Sequence, residues 1–300
     1  MRRIGLQAIL LMVLAVPLAW AAPSKPPQKI ESSKIASMSF VVVRSSKPGC
    51  EPNCPEWIAA EGEITSATPQ RFGAVLAKLG KIQLPVVLNS PGGDVGAAME
   101  LGRMIRKHKL NTGVGYTKYE GCAPTDKTCK APKEWRGVYR GLALDDTGYC
   151  FSACPLVLAG GVKRLAGPST LVGVHQVRTK GFQQRITYRE TYRMVRGKKK
   201  IISRKVVKSE KVKQIDKIGL DKRLRGMLVP YLAQMGISKD FLVEMEKAPP
   251  SSINVPGLSK IYQMGLINSG FPLIALTGNS NCEAPKTAPN CVLLASGGKS

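Results

Sequence analysis

Carboxylates are in short supply. The 300 residues hold 20 Asp and Glu against 45 Lys and Arg, a formal net charge of +25. Such an excess implies attraction to anionic surfaces, whether outer-envelope lipid, polyanion or acidic protein, and says nothing about fold. Histidine is scarcer still, at two residues, His108 and His175. Both lie outside the cysteine-bearing stretches, so a zinc site would need four thiolates converging from distant loops. Membrane-spanning runs are missing too. The apolar stretch 4–18 is short for a span, and no later segment looks transmembrane.

That first run has another reading. Arg2 and Arg3 precede it, and Ala19-Trp20-Ala21 supplies a small-x-small cleavage site. Residues 1–21 thus read as a secretory signal peptide, with an uncleaved anchor as the alternative. Removal leaves an exported chain, periplasmic or secreted, for which nucleic acid is not an expected partner. Residues 22–37, rich in Pro, Ser and Lys, read as a flexible leader. Eight cysteines, an even number in an exported chain, point to disulfides. They fall in close couples: Cys50 with Cys54, Cys122 with Cys129, Cys150 with Cys154, Cys282 with Cys291. The second and fourth couples close most easily. Cys150 and Cys154 lie across an expected helix start, an awkward geometry that favours bonding elsewhere.

The elements follow from periodicity. Residues 39–43 and 57–64 read as strands, the second interrupted by Gly62. Phe72, Val75, Leu76 and Leu79 at helical spacing predict a helix over 69–79. Residues 84–88 form a short apolar strand of the buried kind. The turn Asn89-Ser90-Pro91-Gly92-Gly93-Asp94 then opens a helix with Ala98, Leu101, Gly102 and Ile105 on one face. Its basic end holds His108, read as part of that end. A strand is expected over 112–116. Residues 117–147 are a cysteine-pinned excursion, a hairpin or flap near the Ser152 side. Beyond His175 the chain turns basic, with eighteen Lys or Arg against four acids over 178–225. Helical segments are expected in 183–196 and 200–215, broken near Gly197. This stretch is either a solvated face with snorkelling lysines or a contact surface for membrane, polyanion or a neighbouring subunit. Further helices are expected at 228–235, ended by Gly236, and after a Ser238 cap. A last helix turns into a strand at Met264-Gly265-Leu266-Ile267-Asn268. The tail from Thr277 is pinned by Cys282 and Cys291.

The chemistry gathers at residues 148–175. Ser152 precedes a short apolar helix, and His175 ends the strand expected after Gly167-Pro168. A serine hydroxyl needs a base to take its proton, and imidazole titrates near neutrality. An acyl transition state also needs donors for its oxyanion. The Ala153 amide at the helix start supplies one, and the Gly92–Gly93 turn is placed to supply another. Taken alone, Ser152 reads equally as an ordinary helix cap.

Four pieces resemble the Clp-protease/crotonase superfamily, in its exported Clp-protease-like serine peptidase branch. Leu88-Asn89-Ser90-Pro91-Gly92-Gly93-Asp94-Val95 is similar to the family's oxyanion loop. Cys150-Phe151-Ser152-Ala153-Cys154 resembles its nucleophile segment, and Val174-His175-Gln176 its base. Tyr262-Gln263-Met264-Gly265-Leu266-Ile267-Asn268 is similar to its closing signature. The resemblance implies an α/β fold, a spiral of repeated strand-strand-helix units over 38–276, with insertions at about 117–147 and 178–225. It implies Ser152 as nucleophile, His175 as base, and Gly93 and Ala153 amides as oxyanion donors. It implies a serine endopeptidase acting on polypeptide in the cell envelope, without metal or cofactor, assembled as a homo-oligomer. An ATPase partner does not carry over to an exported chain. One departure stands out. The triad aspartate is expected at 250–253, where the chain reads Pro250-Ser251-Ser252-Ile253. Asp240, Glu246, Asp145 or Asp146 are the substitutes, with Ser252 as an uncharged orienter and a lysine base as a further route. The competing expectation is a weak or inactive relative that binds polypeptide in the same groove and adheres to anionic envelope surfaces.

Overall fold

The computed structural model describes residues 36–126, 128–129 and 138–294; the expected signal segment and most of the leader lie outside them. Strand β1 (Ser39–Ser45) pairs antiparallel with β2 (Asn53–Glu61). Helix α1 (Thr68–Leu79) carries the chain to β3 (Val86–Asn89), and α2 (Val95–Lys107) to β4 (Thr112–Val114). Strands β2, β3 and β4 run parallel, as strand–helix–strand units require. Alternation splits their side chains between two faces. Ile58, Ala60, Val86 and Leu88 pack with Phe72 and Leu76 of α1 and Leu101 and Ile105 of α2. The intervening Trp57, Ala59 and Val87 face a smaller cluster closed by Leu273. Each such buried side chain contributes roughly 1.5–3 kcal/mol.

The 117–147 excursion contains a hairpin, as expected, but it is built into the sheet. Strand β5 (Tyr116–Tyr119) pairs antiparallel with β6 (Tyr139–Leu144), and β6 pairs parallel with β1. Strand β7 (Tyr149–Phe151) leads into α3 (Cys154–Leu158) and then β8 (Arg164–Leu165), which joins β4 at the far edge. Strand β9 (Leu171–Gly173) pairs parallel with β7 in a separate two-stranded sheet.

The basic stretch overturns the helical expectation. It is a long antiparallel ribbon of β10 (Arg178–Val195) and β11 (Lys198–Ile218). The two-residue turn between them has positive φ at both positions, Arg196 at 51° and Gly197 at 74°. That is the turn whose twist matches a hairpin. β-Branched and aromatic residues such as Thr187, Tyr188, Thr191 and Tyr192 outvote the lysines, which are merely tolerant of helix. Three register shifts leave Ile202, Val207 and Val212 as extra residues of β11, at five-residue intervals. Pairing assigns the faces. Ile186, Tyr188, Tyr192 and Met194 share one face with Ile201, Val206 and Ile218; Arg185, Arg189 and Arg193 share the other with Lys200, Lys205 and Lys208.

Helix α4 (Lys222–Met235) follows, capped by Asp221 and ended by Gly236 at φ 70°. Next come α5 (Asp240–Glu246) and α6 (Leu258–Gln263). Ser238 Oγ accepts from the Asp240 amide, but the cap position of α5 belongs to Lys239. The strand expected after Gly265 is reduced to one bridge, Leu165 with Ser269. Helices α7 (Ile274–Thr277) and α8 (Ser280–Glu283) lead to β12 (Cys291–Leu293). The tail therefore returns to the sheet, where β12 pairs with the start of β2. Buried Arg44 fastens this return, donating to Glu51, Glu56 and the carbonyls of Pro52 and Val292. Among the described residues no helix is long and apolar enough to cross a membrane.

All four cysteine couples are closed as disulfides. The closures at 122–129 and 282–291 match expectation; the one at 150–154 corrects it. Cys150 is not at a helix start. It sits on β7, and the sharp bend at Ser152 brings its Cα to 5.2 Å from that of Cys154. With all eight cysteines paired, no thiolate is on offer to zinc.

Candidate functional site

The site starts from the turn after β3. Ser90, fully buried, donates its hydroxyl to the Gly62 carbonyl (2.7 Å) and accepts from the Gly92 amide (3.1 Å). Its own amide and carbonyl bond Tyr149 O and Phe151 N, each at 2.9 Å. One residue thus fastens the glycine turn to the nucleophile strand. Gly92 and Gly93 have φ of 99° and 136°, a region that favours glycine. A Cβ at Gly92 would lie 2.5 Å from Ser152 Cβ and 2.8 Å from the Ala153 nitrogen. A Cβ at Gly93 would lie 2.1 Å from the Ile64 carbonyl, to which the turn is bridged. Glycine is therefore required at both positions, first to admit the serine segment and then to reach the neighbouring chain. Asp94 closes the turn by capping α2, its Oδ1 accepting from the Ala97 amide at 2.7 Å.

Ser152 stands between β7 and α3, half-buried, with φ 60°. That left-handed conformation costs a non-glycine residue roughly 1–2 kcal/mol. Three things hold it: the Cys150–Cys154 disulfide around it, Gly92 packed against it, and its own amide bonded to the Gly173 carbonyl at 2.9 Å. Helix α3 has only five residues, so its dipole adds little. The local donors are amides. Among the described residues, neither the Gly93 nor the Ala153 N–H donates to a protein acceptor.

His175 lies just beyond β9. In the β7–β9 ladder Phe151 faces Gly173, so His175 comes two residues past the point where Ser152 is anchored. Its neighbours are clamped: Val174 exchanges two backbone bonds with Asn254 at 2.8 Å, and the Gln176 amide bonds the Ala248 carbonyl. His175 Nδ1 lies 2.7 Å from the Gln176 carbonyl. A carbonyl only accepts, so Nδ1 carries a proton, and in the neutral tautomer of that ring the lone pair is on Nε2. Among the described residues no hydrogen bond joins Ser152 to His175.

No proposed substitute for the triad acid reaches His175 by a hydrogen bond. Asp145 accepts from the Leu273 amide (3.2 Å), Asp146 is exposed, and Asp240 pairs with Lys260. Glu246 engages Gln176 through its backbone carbonyl, and Ser252 is exposed. The residue opposite His175 is Ile253, which also abuts Gly173. His108 is far from this chemistry in role, ending α2 and receiving Gln83 on its carbonyl. Sequence reasoning missed Glu244. This buried carboxylate accepts from Asn254 Nδ2 and Lys247 Nζ. Lys247, aided by Asn254, holds it below the usual carboxylate range despite burial. Its signal was an acid on the apolar face of a helix, one turn after Phe241. It acts on Asn254, the bridge partner of Val174, rather than on the histidine.

No family model and no curated protein matches the chain. Solved structures do. The chain is similar to a point mutant of the 1510-N membrane-bound stomatin-specific protease at 13% identity and TM-score 0.41, covering 79% of this chain and 88% of that one. A ClpP1 mutant from Listeria monocytogenes is similar at 12% identity and TM-score 0.36, covering 70% and 87%. The ClpP catalytic domain from Plasmodium falciparum is similar at 12% identity and TM-score 0.37, covering 70% and 81%.

Proposed function

We propose that this protein is an exported serine endopeptidase of the Clp-protease/crotonase type, acting on polypeptide in the cell envelope and working as a homo-oligomer. The observation that carries the reading is the arrangement at Ser152. A serine held in a left-handed turn is packed against the glycine turn, the Gly93 and Ala153 amides have no acceptor among the described residues, and His175 follows two residues past the serine's anchor. In this reading Ser152 Oγ attacks the scissile carbonyl carbon as His175 Nε2 takes its proton. The carbonyl oxygen gains the negative charge and receives the Gly93 and Ala153 amides. Collapse expels the amine, which takes the proton from Nε2, and water then releases the acyl group by the reverse relay. The Gln176 carbonyl orients the imidazole, the work a carboxylate does in a full triad. Catalytic hydrogen bonds are commonly loose before substrate binds. The ribbon's positive face supports attraction to anionic envelope surfaces.

The test is labelling of purified protein with a fluorophosphonate and location of the adduct by mass spectrometry. The expected adduct is on Ser152, absent in Ser152→Ala and slowed at least tenfold in His175→Ala. A single observation favours the competing reading, a polypeptide-binding module without turnover: an isoleucine stands opposite His175. Absence of any adduct, together with no cleavage of unfolded protein substrates, would establish that reading instead.

A further inference from the structure

A groove of about 620 Å³ runs from Gly93 of the glycine turn to the base of the β10–β11 ribbon. Its apolar surface comes from Val95, Val177, Ile215, Leu224 and Met227. Its charges are unevenly committed. The two carboxylates, Asp94 and Asp221, each cap a helix, accepting from the Ala97 and Leu224 amides at 2.7 and 2.8 Å. Arg178 is held by Asp216 through two bonds of 2.6 and 2.8 Å, and Lys180 faces the same carboxylate across the ladder, where its charge helps hold Asp216 below its usual range. Lys217 and Arg223 make no hydrogen bond or ion pair among the described residues. The groove thus offers two unspent cations beside an apolar wall, and it begins at the turn whose amide would receive the oxyanion.

We propose that this groove selects the polypeptide on one side of the scissile bond, favouring an acidic side chain next to an apolar one. The proposal rests on Ser152 being the nucleophile only for the word scissile; the binding preference stands by itself. An acidic residue meets Lys217 or Arg223, and an apolar neighbour covers Val177 and Leu224. A lysine in the same place meets only like charge, so selection is partly by repulsion. One exposed pair changes affinity by up to about fivefold, and two acting together by more.

The experiment uses the full chain carrying Ser152→Ala, so that nothing is cleaved. Two fluorescein-labelled nonapeptides, identical apart from two Glu or two Lys flanked by Leu and Val, are titrated by fluorescence anisotropy. The expected result is at least fivefold tighter binding of the Glu peptide. The chain carries a large basic excess outside the groove as well, so the control is decisive. Lys217→Glu with Arg223→Glu should abolish the preference and strengthen the Lys peptide. Lys200→Glu with Lys205→Glu, the same charge change on the distant ribbon, should leave the preference in place. Equal effects of the two double variants, or no preference at the start, overturn the proposal. If fluorophosphonate fails to label Ser152 while the preference persists, the peptidase reading falls and the groove stands. If Ser152 is labelled and the peptides bind alike, the groove falls and the peptidase reading stands.

Discussion

Ser152 holds a backbone conformation that only glycine adopts freely, and it does so at the residue proposed as nucleophile. Strain of this kind is stored at functional positions and supported by surrounding structure. Replacing Ser152 by glycine should therefore stabilise the protein by about 1 kcal/mol relative to Ser152→Ala, since only alanine keeps the left-handed penalty. Urea unfolding of the two variants measures this, and equal midpoints would show that the turn is unstrained. Ile253 gives a second prediction. It lies opposite His175 across the Val174–Asn254 bridge, a spacing at which cross-strand side chains touch. Ile253→Asp should restore a carboxylate partner and raise the fluorophosphonate labelling rate at least tenfold, because loss of that partner costs about 10⁴ in a full triad. A folded variant with an unchanged rate would mean that the Gln176 carbonyl already supplies all the orientation the imidazole needs.

The β7–Ser152–α3 element is a strand, a bend and a single helical turn stapled end to end. Closing so short a loop contributes about 2 kcal/mol, but position matters more than energy here. Cys150→Ser with Cys154→Ser should slow Ser152 labelling at least tenfold. Cys122→Ser with Cys129→Ser should leave it within twofold while also lowering thermal stability. Matched labelling in the two variants would detach the staple from the site. This element also shows what was legible. Its serine, like Gly92, Gly93 and His175 around it, was readable because each is a chemical type in a short motif. Its disulfide was not, because an i, i+4 cysteine pair looks helical until the left-handed residue between them is known. Helices α1 and α2 announced themselves by 3.6-residue periodicity. The ribbon did not, since its bulges interrupt the period-2 pattern every five residues and lysines fill its polar positions. The Arg196–Gly197 turn was its one clear signal. The absence of a carboxylate at 250–253 was readable, whereas the Gln176 backbone carbonyl that bonds His175 carries no sequence signature.

Across the whole molecule, charge is concentrated where packing is least. Residues 178–218 hold 15 Lys or Arg and 3 acids, a net +12 of the chain's +25. Excising 184–212 and joining Gln183 to Lys213, which face each other in the ladder, through Asn-Gly would remove most of it and leave the core untouched. The melting temperature should change by no more than a few degrees. Binding to vesicles containing phosphatidylglycerol should be strong for the full chain, fall steeply between low and physiological salt, and vanish after excision. Salt-insensitive binding, or binding that survives excision, would place the anionic contact elsewhere. The fastening at Ser90 has a consequence of a different order, one of timing. Its four bonds join segments at 62, 90 and 150, and the histidine is set only when 174 meets 254. Pairings so distant along the chain form late in folding. On the proposed peptidase reading, neither a growing chain nor a fragment has the hydroxyl, imidazole and amides in register, and the cutting edge is assembled last, after the chain has become too compact to be cut by its own kind.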